Sequence, residues 1–447
     1  MKKSFKTSLV LLIAGFLFLG CSKPPLDPTK TYLKLSSWGD VKENQILTNL
    51  INEFQRTHPN IVVELERVPF QEYMTKFLTQ SAGNMAPDVV FISTDNVAEL
   101  YPRGVLENLD DYVKTSKLFQ PKDFYPCLIK RFTMDGHLVA IPRDLAPVCV
   151  IYYNQKAFDE AKVAYPKDSW DWSKFLATAR AVTKRDAKGN TQRWGFVDDW
   201  TIIEPWVYSA GGRWVDDELF PSKYLFNSPG FIKGLQFRMD MVLKDKVAPG
   251  PENLAAMGGL GGSDLFQNGQ VAMFLSGIWK TPQFRDIKNF KWDVVMVPKG
   301  PKGVRQYQTG GSGYGILKSS THKKEAWELL EYIAGPEGAK QFAQLGLSQP
   351  ALKAIAESPA FLDEKPPLNK KMLLKAAMAG IDEPRASNWR EIRNSMATPL
   401  FDKLWEGSIS AQEAVSQLSE ELKSDPPVRD STEAKPAAQP TAIPFLF

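Results

Sequence analysis

The chain has 447 residues, of which 43% are apolar, 11% aromatic and 24% charged. That length exceeds what one hydrophobic core usually supports, so two lobes are expected. The composition excludes a disordered, collagenous or multi-span membrane chain. Fifty-five Lys+Arg against 51 Asp+Glu leave a formal +4. Three of those positives, Lys2, Lys3 and Lys6, lie in a segment read below as removed, which leaves a charge near +1. So small a charge gives no case for nucleic-acid binding. His58, His137 and His322 are far apart, so a multi-histidine metal site or a histidine relay is poorly supplied. No cofactor or metal is expected.

The three early lysines precede an unbroken apolar run from Leu9 to Leu19. That run is too short to span a bilayer, which takes roughly 20 residues. A basic start with a short apolar core reads as a secretory signal over residues 1–20. Gly20-Cys21 then opens a polar, Pro-rich stretch, and the whole resembles a bacterial lipoprotein signal. Phe18 stands where that family most often has Leu. The resemblance implies a lipid on the Cys21 thiol and a short tether over residues 21–30. It also implies an exported protein anchored at the periplasmic or cell-surface face of a membrane. Cys127 and Cys149 remain, and an exported location leaves two readings: a disulfide or two small buried residues.

In the body of the chain, Tyr32 to Leu35 reads as a strand. Ile46, Leu47, Leu50, Ile51 and Phe54 recur at helical spacing until His58-Pro59-Asn60. Ile61 to Val68 reads as a second strand, Tyr73 to Leu78 as a second helix, and Val89 to Ile92 as a third strand. This alternation predicts a parallel sheet covered by helices on both faces. Later elements are strands at Leu138–Pro142, 147–153 and Trp292–Pro298, and helices at Trp170–Val182, Glu325–Ala334 and Ala411–Leu422. Residues 200–300 mix helices with Gly-rich turns. Residues 424–447 are rich in Pro and Ala and read as a disordered tail, although its end, Ile443-Pro444-Phe445-Leu446-Phe447, is apolar.

Several segments in this order carry a wider resemblance. They are Tyr32 to Pro59, the Ala82 to Val89 step containing Ala86-Pro87-Asp88, and the strand from Gly136 to Asn154. The later ones are Phe266 to Met273 with Gly277-Ile278-Trp279, Gly310-Gly311 to Ile316, and Lys324 to Gly338. Together they resemble the bacterial extracellular solute-binding proteins of ABC importers, family 1, the group that includes maltose-binding protein. The resemblance implies an α/β, two-lobed periplasmic-binding-protein-like fold of type II, with parallel-rich sheets flanked by helices and a solute cleft between the lobes. It places lobe one at about 30–145 plus 308–350 and lobe two at about 146–307 plus 351–423. The implied role is capture of a carbohydrate, as a monomer, and its delivery to the transmembrane subunits of an ABC permease.

An indole face stacks on the flat C–H face of a sugar while carboxylates and amides bond its hydroxyls, so candidate residues are of those types. Trp38 and Asp40 follow the first strand, and Asp95 and Asn96 follow the third. Strand ends of that kind face the crevice in open α/β sheets. Asp95 and Asn96 fit equally as the cap of a helix over 97–101. Arg143 and Asp144 lie at the expected crossing between lobes, where a charged pair reads either as a hinge salt bridge or as a ligand contact. Trp279 sits on the family's cleft-wall turn, with Ile278 where the family has Pro. Gly311 and Ser312 match a backbone segment that lines the cleft. Trp206, Trp214 and Trp389 are further aromatic candidates. A non-sugar solute, such as a glycerol-phosphate ester held by Arg143, Arg213 or Arg385, is the alternative cargo, and a sensor module the alternative role. An enzyme finds no support: there is no G-x-S-x-G elbow, H-E-x-x-H or Walker loop.

Overall fold

The computed structural model describes residues 27–199, 202–376, 379–423 and 426–427. The expected signal, Cys21 and almost all of the expected tail lie outside the described residues. Among the described residues no helix is long and apolar enough to cross a membrane.

The chain enters through β1 (Thr31–Ser37), α1 (Val41–Thr57), β2 (Ile61–Arg67), α2 (Phe70–Ala82) and β3 (Val89–Ser93). Leu33 and Leu35 alternate into the core from β1, and Leu47, Leu50, Ile51 and Phe54 form the buried stripe of α1. Asp40 caps α1, its carboxylate accepting the Glu43 N–H at 2.8 Å. Val89 to Ile92 are no more than 1% exposed, as a central strand covered on both faces requires. Helix α3 (Thr94–Leu100) follows without a loop. It starts earlier than the sequence suggests, because Ser93 takes the cap position.

The later strands are β4 (Ile141–Leu145), β5 (Val150–Asn154), β6 (Val197–Asp198), β7 (Met273–Ser276), β8 (Trp292–Met296), β9 (Gly311–Ile316) and β10 (Gln349–Pro350). They complete two sheets, one in the order β10-β4-β9-β3-β1-β2 and one in the order β6-β7-β5-β8. The β1–β2, β1–β3 and β6–β7 pairs are parallel. The other pairs of these sheets are antiparallel. The expectation of parallel-rich sheets holds at the start of the chain and, in the second sheet, for the β6–β7 pair. Strand β9 returns to the first sheet from β8 of the second, so it needs no helical crossover and antiparallel entry is open to it.

Each sheet carries its own apolar core, one around Phe54, Phe91 and Leu330, the other around Tyr152, Phe266 and Phe274. A third apolar cluster was not foreseen. It joins Ile203 to Leu235 with the helices beyond residue 386, through Trp214, Phe231, Trp389, Phe401 and Leu418. Cys127 and Cys149 are both free thiols, so the disulfide reading is corrected. Cys127 packs on the first core and Cys149 is buried in the second, which separates them.

Candidate functional site

Strand β4 ends at a buried knot of charge. Arg143 donates to Asp144 at 2.7 Å and to Glu43 at 2.5 Å, with its guanidinium over the rings of Phe91 (4.1 Å) and Phe342 (4.7 Å). Asp144 also accepts the Ser312 N–H at 2.9 Å. Burial works against the charge on Arg143, yet Asp144 and Glu43 raise its pKa. Burial pushes the Glu43 carboxyl up, against the pull of Arg143. Of the two readings of Arg143 and Asp144 the structure shows the salt bridge, with their polar atoms joining β4, β9 and α1. Gly311 is corrected for a related reason. A Cβ there would lie 2.4 Å from the Asp144 carbonyl oxygen and 2.6 Å from the Leu128 side chain. The missing side chain admits a neighbouring strand, not a ligand. Ser312 stays partly buried beside it.

Trp38 leaves β1 and packs on Phe91 (4.3 Å between centroids) and Tyr73 (4.9 Å), with the exposed Phe70 edge-on at 5.5 Å. Asp40 is exposed and occupied with capping α1. The Trp279 ring lies across Gly277, where a Cβ would meet it at 1.8 Å. Trp279 follows β7 of the second sheet, yet it packs against the core of the first. Beside it Asp199, its carboxyl raised by burial against Lys280, accepts from Ser276 at 3.0 Å and faces Lys280 at 3.5 Å.

A second group of polar side chains gathers around α3. Asn96 accepts from the Ser93 hydroxyl at 2.8 Å, which makes it part of the cap. The cap leaves Asp95 in the first helical turn, where its carboxyl is hydrogen-bonded to Glu383. Burial raises both acids, Glu383 strongly because Asp95 and Glu204 add negative charge. Gln308 donates to Glu383. Glu204, 4% exposed, accepts from the Trp214 indole N–H at 3.4 Å and from Arg393 at 3.3 Å. Trp389 meets Trp214 edge to face at 5.2 Å. Asp95, Trp214 and Trp389, distant in sequence, thus converge with Glu204 and Glu383, which the sequence reading missed. The signals were there: Glu204-Pro205 opens a helix beside two tryptophans, and Asp382-Glu383-Pro384 is an acidic doublet in a segment without periodicity. Trp206 does not join them. It is fully buried among Phe175, Phe196 and Phe237, so its candidacy is corrected to core packing.

Charged side chains bridge the two halves around these residues. Lys42 of α1 reaches Asp286 at 2.5 Å and the Pro282 carbonyl at 2.9 Å. Arg390 grips Glu99 of α3 at 2.9 and 3.0 Å. Arg131 donates to Asp382 at 2.7 Å. Arg385 donates to the carbonyls of Lys130 (2.7 Å) and Arg131 (2.8 Å). Among the described residues no group of three or more His, Cys, Asp or Glu is placed to hold a metal ion.

Residues 38–340 match the family described as bacterial extracellular solute-binding protein. The chain belongs to that family. The ABC substrate-binding protein of Listeria monocytogenes solved with cycloalternan is similar in fold (TM-score 0.80) and 26% identical in sequence. The match covers 88% of this chain and 98% of that one. The maltose-bound MalE3 of T. maritima superposes with a TM-score of 0.76 at 23% identity, over 88% of this chain and 99% of that one. A Streptomyces antibioticus protein described as an uncharacterized lipoprotein is 22% identical over 423 residues, 90% of this chain and 89% of its own. In this solute-binding family the cleft between the lobes is the place for a ligand. The tryptophans and carboxylates above lie where the two sheets and the third apolar cluster meet.

Proposed function

We propose that the protein is the substrate-binding component of an ABC importer, taking a carbohydrate between its lobes and passing it unchanged to a membrane permease. The observation that carries this reading is the convergence of Asp95, Glu204 and Glu383 with Trp214 and Trp389 at the meeting of the two halves. Carboxylates accept from sugar hydroxyls, and indoles offer apolar faces to the ring. Trp38, Trp279, Asn96 and Ser312 complete the proposed walls. The lobes are proposed at 30–145 with 308–350 and 146–307 with 351–423, which accords with the distribution of strands between the sheets.

A phosphate-bearing cargo is disfavoured by the arginines offered for it. Arg143 is held by two carboxylates, Arg213 by Gln306 at 2.6 Å, and Arg385 by helix-end carbonyls. The family match supports binding without covalent chemistry. Solute affinity that is greater in the closed state drives closure. Export and a lipid on Cys21 rest on the sequence of residues 1–21 and on the lipoprotein relative, and monomeric action on the family.

The test is a thermal-shift screen of the protein against mono- and oligosaccharides, followed by calorimetry with the best binder. Trp279→Ala should lower affinity at least tenfold, measured at a temperature where the variant remains folded. Undiminished affinity would remove Trp279 from the site, and stabilisation by phosphate esters but by no sugar would replace the cargo.

A further inference from the structure

A groove of about 660 Å³ opens between the residue 184–193 hairpin, the helix Pro251–Ala256, the end of the helix Pro229–Leu243 and the end of the helix Thr398–Trp405. It shares no residue with the proposed cleft. Trp194 and Trp405 both line it, with Asn253, Glu252 and Glu406 among its polar groups. Arg185 is held in place there by donating to Thr191 at 2.7 Å and to the Lys246 carbonyl at 2.8 Å.

Trp405 is fixed from behind. The guanidinium of Arg238 stacks on its ring at 5.2 Å, and Asp198 pins that guanidinium through two bonds of 2.5 and 2.9 Å. Trp405 and Arg238 are 5% and 4% exposed. The Trp405 indole N–H and Arg238 Nη1 are both without an acceptor among the described residues. Buried donors are almost always satisfied, so the unpaired Trp405 N–H on the groove wall calls for an oxygen that the described residues do not supply. The half-buried Trp194 indole, the Trp405 N–H and a rim of amide, carboxylate and guanidinium suit a hydroxyl-rich ring.

We propose that this groove is a second carbohydrate-binding site, separate from the cleft and built on Trp194 and Trp405. It takes the cargo class proposed for the cleft and rests on that reading for its chemistry.

The test applies labelled full-length protein to an array of immobilised oligosaccharides. Asp95→Asn with Trp389→Ala disables the cleft. That variant should keep signal on a subset of oligosaccharides. Adding Trp194→Ala should cut this signal at least tenfold, and so should adding Glu252→Lys on the exposed rim, a change with no core to disturb. Loss of all signal in the cleft-disabled variant would assign every contact to the cleft and overturn the groove. Signal unchanged by both groove substitutions would overturn it equally. Wild-type protein that binds no oligosaccharide would refute the carbohydrate reading itself, and the groove with it.

Discussion

Arg143 shows how one residue can look like a ligand contact and serve the frame instead. Its position past an apolar strand is what a cleft residue would have, but its charge is absorbed by Glu43 and Asp144. Arg143→Met would leave two acids buried without their partner. Removing one member of a buried ion pair costs about 3–5 kcal/mol, so chemical denaturation should show a loss of that size. A loss below about 1 kcal/mol would place the knot outside the stabilising frame. Gly311→Ala drives a methyl group into the Asp144 carbonyl and should destabilise by about 1–3 kcal/mol.

Glu383 makes the opposite case, a residue with no sequence motif and a strong electrostatic signature. Burial and its acidic neighbours keep its proton on at pH values where the unfolded chain has released it. The folded state then holds more protons than the unfolded, so stability falls as pH rises above the ordinary value of 4.5. Glu383→Gln removes that dependence. The unfolding temperature of Glu383→Gln relative to wild type should therefore climb as pH rises above the ordinary value of 4.5. A constant difference would show that Glu383 titrates normally.

Among the elements, those with strict periodicity were legible. The run from β1 to β3, the helix Lys323–Ala334 and the helix Ala411–Glu421 follow from apolar spacing alone. The third apolar cluster was not, because it joins chain about 170 positions apart and two of its helices, Glu204–Ser209 and Thr398–Trp405, are too short to show a period. The site was legible by residue type and not by partner. Trp214, Trp389 and Asp95 are conspicuous in sequence, but nothing local tells that Trp214 donates to Glu204 or that Asp95 meets Glu383. Trp206 looks the same as Trp214 along the chain, and only packing separates them. The Gly277-to-Trp279 turn is the element whose form depends on one atom. Gly277→Ala places a Cβ inside the indole and must turn Trp279 away from the first core. Sugar affinity measured by calorimetry should fall at least tenfold, and unchanged affinity would show that the Trp279 pose is irrelevant to binding.

At the scale of the whole molecule, two independently cored halves are joined by crossing strands and by ion pairs at several points around the cleft. Exposed pairs such as Lys42–Asp286 are weak individually and screened by salt. Closure must therefore draw most of its free energy from the solute, which touches both halves only when they meet. Small-angle scattering on the protein with and without the sugar that most raises its unfolding temperature tests this most directly. The account predicts that the radius of gyration shrinks on saturation and that Asp95→Asn with Trp389→Ala abolishes the shrinkage. Binding at saturation with no compaction would contradict it.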